Sequence, residues 1–364
     1  MSGMDFPRAA TGLAELVTGR GVLICCGAGG VGKTTTAAAL ALEGARRGRR
    51  TCVVTIDPAR RLADALGLGE LSNVPRQVDG SWEGELWALM LDSKSTFDEL
   101  VERYSDSPEQ AKGILDNRLY RNLSGALSGT QEYMASEKLY ELYEEHDFDL
   151  VVVDTPPTRN ALDFLEAPGR LMRLLDNRIF RLLVVPTKAY LRAISLGVRT
   201  FLRTVSSVVG TEVVEDVIAF FRAFEGMEEG FRDRAKRVEM LLADDATSFV
   251  LVTSARPESI EEAMWFADRL AQSGLGTEAL VVNRAHPHFL PTSVAMPAEG
   301  STPPALSALT ANLRELESIA NRERETLAAL AEKVGGGPLV SVPLLSDDVH
   351  DLAGLEAVAD HLFA

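Results

Sequence analysis

The sequence predicts an α/β protein: a mostly parallel sheet flanked by helices, with a helical subdomain inserted in its loops. Three observations carry that expectation. Short apolar runs of strand length recur at Gly21–Cys26, Thr51–Ile56, Leu86–Leu91, Leu150–Val153, Ser248–Thr253, Ala279–Val282 and Leu339–Val342. Each is apolar on both faces, as strands covered by helices on both sides must be. Helical patterns fill the gaps, which is the alternation of βαβ units. Two gaps, Asp92–His146 and Thr158–Asp244, are too long for simple crossovers and are rich in helical periodicity. They are where the helical subdomain is expected, within a single domain spanning 1–364.

The elements follow in order. Gly21–Cys26 (GVLICC) is a buried-type strand, a glycine-rich loop follows, and TTTAAALALEGARRG reads as a helix. Thr51–Ile56 closes the first βαβ unit, and Arg60–Leu66 reads as a short helix behind it. His286–Ala305 holds Pro287, Pro291, Pro297, Pro303 and Pro304 and reads as an irregular loop. A polar helix is expected over Ser307–Val334, closed by Gly335–Gly337.

Composition bounds the function. With 46% hydrophobic and 25% charged residues, the chain is an ordinary folded protein. Its 53 acidic and 37 basic residues give a formal charge of -16, which argues against nucleic acid as the main partner. The start, MSGMDFPRAATGLAEL, lacks a basic stretch followed by an apolar core, so no secretory signal is expected. No charge-free apolar stretch reaches the roughly 18 residues of a membrane span. The three cysteines, Cys25, Cys26 and Cys52, lie in strand-like runs and fit a reduced cytoplasm.

The loop from Gly27 through Ala28, Gly29, Gly30, Val31 and Gly32 to Lys33 and Thr34 matches the phosphate-binding pattern G-x-x-x-x-G-K-[ST]. It also stands where that pattern works, between a strand and a helix. Its amides, with the helix N-terminus including Thr35, would surround phosphate oxygens. Lys33 would reach the β- and γ-phosphates, and the Thr34 hydroxyl would ligate magnesium. This makes the expected architecture that of a P-loop NTPase binding ATP and Mg2+. Asp154, closing an apolar strand, suits the magnesium-holding aspartate of such sites; the alternative is a cap on the next helix. Asp57, directly after the second strand, is placed to face the γ-phosphate and orient water; it also reads as the N-cap of the Arg60–Leu66 helix.

Together these residues resemble the family of arsenical pump ATPases and tail-anchored-protein targeting factors, nearest to a Get-type subgroup of actinobacteria also called anion-transporting ATPases. The motifs are GAGGVGKTTTAAALAL, TIDPARRLADALG, VVVDTPPTRNALDFL, VVNRAHP and VPLLSDDVHDLAGL, in the family's order over most of the chain. The resemblance implies that Asp57 activates water in switch I, that Asp154–Thr158 forms switch II, that Asn283 reads adenine, and that Pro343 lies in the loop flanking the base. It also implies ATP-gated dimers whose helical subdomains form a groove for a hydrophobic client helix or membrane protein, in the cytoplasm or peripherally at the inner face of the membrane.

Four departures sharpen the expectation. The family's trans-acting lysine position is Ala28 here, which carries no charge to a partner's phosphates. Switch II reads Pro157-Thr158-Arg159-Asn160, where the family usually has P-T-G-H. The cysteines that hold zinc, and those that bind arsenite, have no counterpart, so no zinc is expected. An arginine finger is worth about 10³–10⁵ in rate, so Ala28 implies slow hydrolysis unless Arg159 or a lysine-bearing partner ATPase substitutes. The alternative to a self-sufficient homodimer is therefore a slowly hydrolysing subunit of a hetero-oligomer. Arg170–Val208 is rich in arginine with Asp176 its sole acid, either the basic rim of a client groove or a solvated helical layer. Phe220, Phe221 and Phe224 extend that apolar surface; Met227 and Met240 either do the same or fill a core. His286 and His288 have a spacing that fits a metal but carries little weight alone.

Overall fold

The computed structural model describes residues 7–57, 60–118, 120, 130–156, 158–177, 216, 219–220, 223–287, 289, 304–334 and 337–364. In chain order its elements are α1 (Pro7–Gly19), β1 (Val22–Cys26), α2 (Lys33–Arg46), β2 (Arg50–Thr55), α3 (Arg61–Ala65), β3 (Arg76–Gln77), β4 (Glu85–Met90), α4 (Ser93–Tyr104), α5 (Pro108–Leu115), α6 (Thr130–Glu144), β5 (Leu150–Asp154), α7 (Thr158–Leu175), α8 (Glu228–Leu242), β6 (Thr247–Ser254), α9 (Pro257–Gln272), β7 (Ala279–Ala285), α10 (Pro304–Lys333), β8 (Leu339–Pro343) and α11 (Leu352–Phe363).

The eight strands form one sheet in the order β3-β4-β2-β5-β1-β6-β7-β8. All neighbours run parallel except β3, which pairs antiparallel with β4. The seven apolar runs all became strands, and the central ones are buried along their full length. β3 was not anticipated: its two residues are polar and exposed, so nothing in its pattern signals a strand. On one sheet face Leu23, Val53, Val152, Val250 and Val281 pack in a single cluster with α2 and α11. Strand alternation turns Ile24, Val54, Val153 and Leu251, all buried, to the other face. α2 is short-chained (Ala37, Ala38, Ala39, Ala41) and buried over most of its length, which lets it lie close against β2 and β5.

The chain divides into two compact units. One comprises residues 1–90, 142–161 and 243–364 and contains the whole sheet. The other comprises 91–141 and 162–242 and is helical. Its core gathers Leu100, Ile114, Met134, Phe224, Met227 and Phe231. Phe97 stacks on Tyr120 with ring centres 5.3 Å apart, and Phe220 meets Phe224 edge-on at 4.9 Å. Phe224 and Met227 are therefore core residues and do not extend a surface, because the aromatic cluster closes over them. Met240 is 71% exposed. Most of Arg170–Val208, along with Phe221, lies outside the described residues.

Candidate functional site

The order β2-β5-β1 brings three carboxyl strand ends together, which is where parallel sheets place ligands. From β1 the chain enters the glycine loop. Gly27 has φ +155, and a Cβ there would lie 2.0 Å from the Val252 carbonyl oxygen of β6. Gly32 has φ +94, and its Cβ would lie 2.0 Å from Asn283 Nδ2. Both positions exclude a side chain, so the loop's fold depends on its glycines. Gly32 is the N-cap of α2 and supplies no side-chain cap, which leaves first-turn amides for another acceptor. Thr35, in that turn, is half-buried.

Lys33, 8% exposed, donates from Nζ to the Ala28 carbonyl oxygen at 2.8 Å. Burial lowers its pKa, while Asp154, Cys26 and Asp57 nearby oppose that shift. The Ala28 side chain is 5% exposed and belongs to the core cluster; Gly29 and Gly30 are exposed.

Asp154 closes β5 at 1% exposure. Its Oδ2 accepts from Thr34 Oγ1 at 2.7 Å and from Thr55 Oγ1 at 2.8 Å. Its Oδ1 is buried with no hydrogen-bond partner among the described residues. Burial, the largest influence, pushes the Asp154 carboxyl up to about 6. Asp154 thus turns to the phosphate loop and not to the start of α7 as a cap. Asp57 is half-buried two residues past β2, and its amide donates to Thr55 Oγ1 at 3.2 Å. It is not the N-cap of the next helix: α3 starts at Arg61, with Arg60 at the cap. The chain takes three residues beyond Asp57 before turning helical, and Pro58 and Ala59 lie outside the described residues.

Asn283, on β7, donates from Nδ2 to the Val31 carbonyl oxygen at 2.9 Å. Its Oδ1 accepts the Arg284 amide at 3.0 Å, and Arg284 has φ +59. Pro343 ends β8 beside Ala285. The structure therefore gathers Lys33, Thr34, Asp57, Asp154 and Asn283 around the loop, with Pro343 on the outer neighbouring strand. His286 is engaged by α10: its backbone amide donates to Glu323 Oε2 at 2.9 Å, and its Nδ1 lies 2.7 Å from Glu323 Oε1. His288, Pro157 and the side chains of Thr158, Arg159 and Asn160 lie outside the described residues. The thiols of Cys25, Cys26 and Cys52 are free, and burial pushes each one up, keeping it protonated.

Sequence reading missed Thr55, whose hydroxyl joins Asp154 to the Asp57 amide; Thr155, inside the expected switch II, donates from Oγ1 to the Cys25 carbonyl at 2.7 Å. Thr55 sits inside the β-branched, apolar run Thr51–Ile56, where a threonine needs no role beyond the strand. Its signal was a hydroxyl at the strand end, two residues before the aspartate.

The profile of the anion-transporting ATPase family matches residues 20–364. The chain belongs to that family. It is similar to ATPase GET3 of Malassezia globosa, 30% identical over 265 residues, 72% of each chain. It is also similar to ATPase get3 of Aspergillus terreus, 25% identical over 342 residues covering 92% of this chain and 88% of that one. A third relative, ATPase get3 of Schizosaccharomyces japonicus, is 26% identical over 258 residues. The chain is accordingly a nucleotide-binding, ATP-hydrolysing enzyme with the P-loop fold. No described helix is long and apolar enough to cross a membrane.

Proposed function

We propose that the chain binds Mg·ATP at the carboxyl ends of β1, β2 and β5 and couples its hydrolysis to capture and release of a hydrophobic client or membrane partner. The observation that carries the site reading is the Asp154 carboxylate. One oxygen is saturated by the Thr34 and Thr55 hydroxyls, and the other is buried without a partner among the described residues. A buried orphan acceptor is costly unless something fills it, and a water on a magnesium ion held by Thr34 and Asp154 fits. The residues present therefore fit the cation, whose chemistry is to neutralise charge on the transferring phosphate.

The remaining roles are these. Amides of Gly27 to Thr35 cradle phosphate. Lys33 exchanges the neutral Ala28 carbonyl for a phosphate oxygen, a stronger charge-assisted acceptor. Asp57 orients the attacking water, and Asn283 and Pro343 border the base. The relatives' shared name, ATPase GET3, and the family resemblance support a cytoplasmic dimer with a client-binding helical unit, peripheral to the membrane where the client requires it. With the three thiols inside β1 and β2, we assign no zinc to this chain, and its net charge of -16 speaks for no nucleic-acid partner.

Ala28 favours a second reading, a slow subunit paired with a lysine-bearing relative. Turnover by the purified chain, beside Ala28→Lys, Arg159→Ala and Asp57→Asn, tests both. Asp57→Asn should keep ATP affinity while losing about 10²–10⁴ in kcat. If Ala28→Lys recovers a large part of the about 10³–10⁵ that a delivered charge supplies, the slow-subunit reading holds. Brisk turnover by the unaltered chain, with Arg159→Ala harmless, overturns it; an Asp57→Asn variant as fast as wild type overturns the site assignment.

A further inference from the structure

Thr55 is buried at 1% exposure, and it stands in register with Asp154 across the β2–β5 ladder. A hydroxyl has one proton to give and lone pairs to accept with. The Asp57 backbone amide can only donate, so at 3.2 Å Thr55 Oγ1 must accept from it. The single proton is then committed to Asp154 Oδ2 at 2.8 Å. The direction of both bonds follows from this count. Other buried threonines behave differently: Thr155 Oγ1 donates to the Cys25 carbonyl and Thr253 Oγ1 to the Ser254 carbonyl, satisfying themselves on backbone. Thr55 instead spends its proton on a buried carboxylate and its acceptor capacity on the amide of the other acidic site residue.

We infer that Thr55 is a positioning residue for ATP hydrolysis: its hydroxyl couples the Asp154 carboxylate to the backbone at Asp57, so that the magnesium-holding and water-orienting groups are set at a fixed separation. The inference rests on the roles given above to Asp154 and Asp57. Two further contacts support it. The Ile56 amide donates to the Asp154 carbonyl at 3.2 Å, so the backbone after β2 follows the end of β5 through that bond as well as through the hydroxyl. By holding Oδ2 together with Thr34, Thr55 also decides which carboxylate oxygen is left open. The β-branched side chain restricts the rotamer that aims the hydroxyl. Because the coupling runs through a side chain, it can be removed without touching either acid.

The test compares Thr55→Val, Thr55→Ser and Asp57→Asn with the double variant Thr55→Val/Asp57→Asn, in the full chain. Steady-state kcat and KM are measured together with the Mg2+ concentration for half-maximal rate, and binding of a fluorescent ATP analogue is followed separately; thermal unfolding confirms that each variant is folded. Misplacement of a reacting group by about 1 Å costs about a hundredfold. Thr55→Val should therefore lose about tenfold to a hundredfold in kcat, with analogue affinity nearly unchanged and a higher Mg2+ requirement. Thr55→Ser should recover most of the rate. At saturating Mg2+, where the effect on Asp154 is masked, the double variant should be no slower than Asp57→Asn, since the remaining loss passes through Asp57; multiplicative losses there mark independent effects and overturn the inference. So does wild-type kcat in Thr55→Val, or a serine variant as slow as valine. If Asp57→Asn itself turns over normally, the site roles fail and the inference falls with them; a slow Asp57→Asn beside a normal Thr55→Val overturns the inference alone.

Discussion

Replacing Asp154 with asparagine separates the stability of the free protein from its chemistry. In the metal-free chain the Asp154 carboxyl is pushed from 3.8 up to about 6, by burial first; the Thr34 and Thr55 hydroxyls and Lys33 pull it down, and Asp57 pushes it up. The folded chain thus keeps this proton to a higher pH than the unfolded chain does. The group's contribution to stability is fully present below pH 3.8, falls as pH rises towards about 6, and is flat above that. The gap between the two values, at about 1.36 kcal/mol for each pH unit, is about 3 kcal/mol. Asparagine does not titrate. The difference in unfolding free energy should therefore shift in favour of Asp154→Asn by about 2 kcal/mol between about pH 4 and about pH 7, the rest of the change lying below pH 4. Urea unfolding followed by tryptophan fluorescence, in EDTA across that range, measures it. At neutral pH the same variant should lose Mg2+-dependent turnover, and Mg·ADP should no longer stabilise it. Parallel pH profiles for the two proteins, or a variant that loses ground as pH rises, would refute the reasoning.

Two more predictions follow from the geometry. Gly32→Ala places a Cβ 2.0 Å from Asn283 Nδ2 at a backbone φ of +94; the left-handed backbone alone costs about 1–3 kcal/mol, so thermal stability and ATP affinity should both fall, and adding Asn283→Ala should restore only the steric part. A Gly32→Ala chain with wild-type melting and affinity would show that the loop tolerates what the packing forbids. In the helical unit, Arg234 Nε donates to Glu137 Oε1 at 2.5 Å, with both side chains buried, and the guanidinium lies 4.1 Å from the Tyr140 ring centre. Arg234→Ala leaves a buried carboxylate behind and should cost about 3–5 kcal/mol in denaturant unfolding, whereas Arg234→Met with Glu137→Leu should be near neutral; equal losses from single and double changes would contradict the pairing.

What the sequence makes legible here is what local chemistry decides. A strand buried on both faces must be apolar along its length, so β1, β5 and β6 could be read directly. The loop announces itself because Gly27 and Gly32 have no room for a Cβ, and Lys33 and Thr34 follow at fixed spacing. Contacts that depend on strand order were not legible. Thr55 and Asp154 are 99 positions apart, and they meet only because β5 inserts between β2 and β1. The same limit applies to Asn283, 252 positions from Val31, whose expected partner was adenine. Its Nδ2 has a second proton after bonding the Val31 carbonyl, so bracing the loop and reading a base do not compete for one donor. Bracing also explains why Gly32 is glycine twice over, for its backbone and for the amide it admits. A base bound near Asn283 would then act on the same side chain that shapes the phosphate loop. On that account Asn283→Ala should weaken triphosphate binding even for an analogue lacking the base, and an effect confined to base-bearing nucleotides would leave Asn283 as a reader alone.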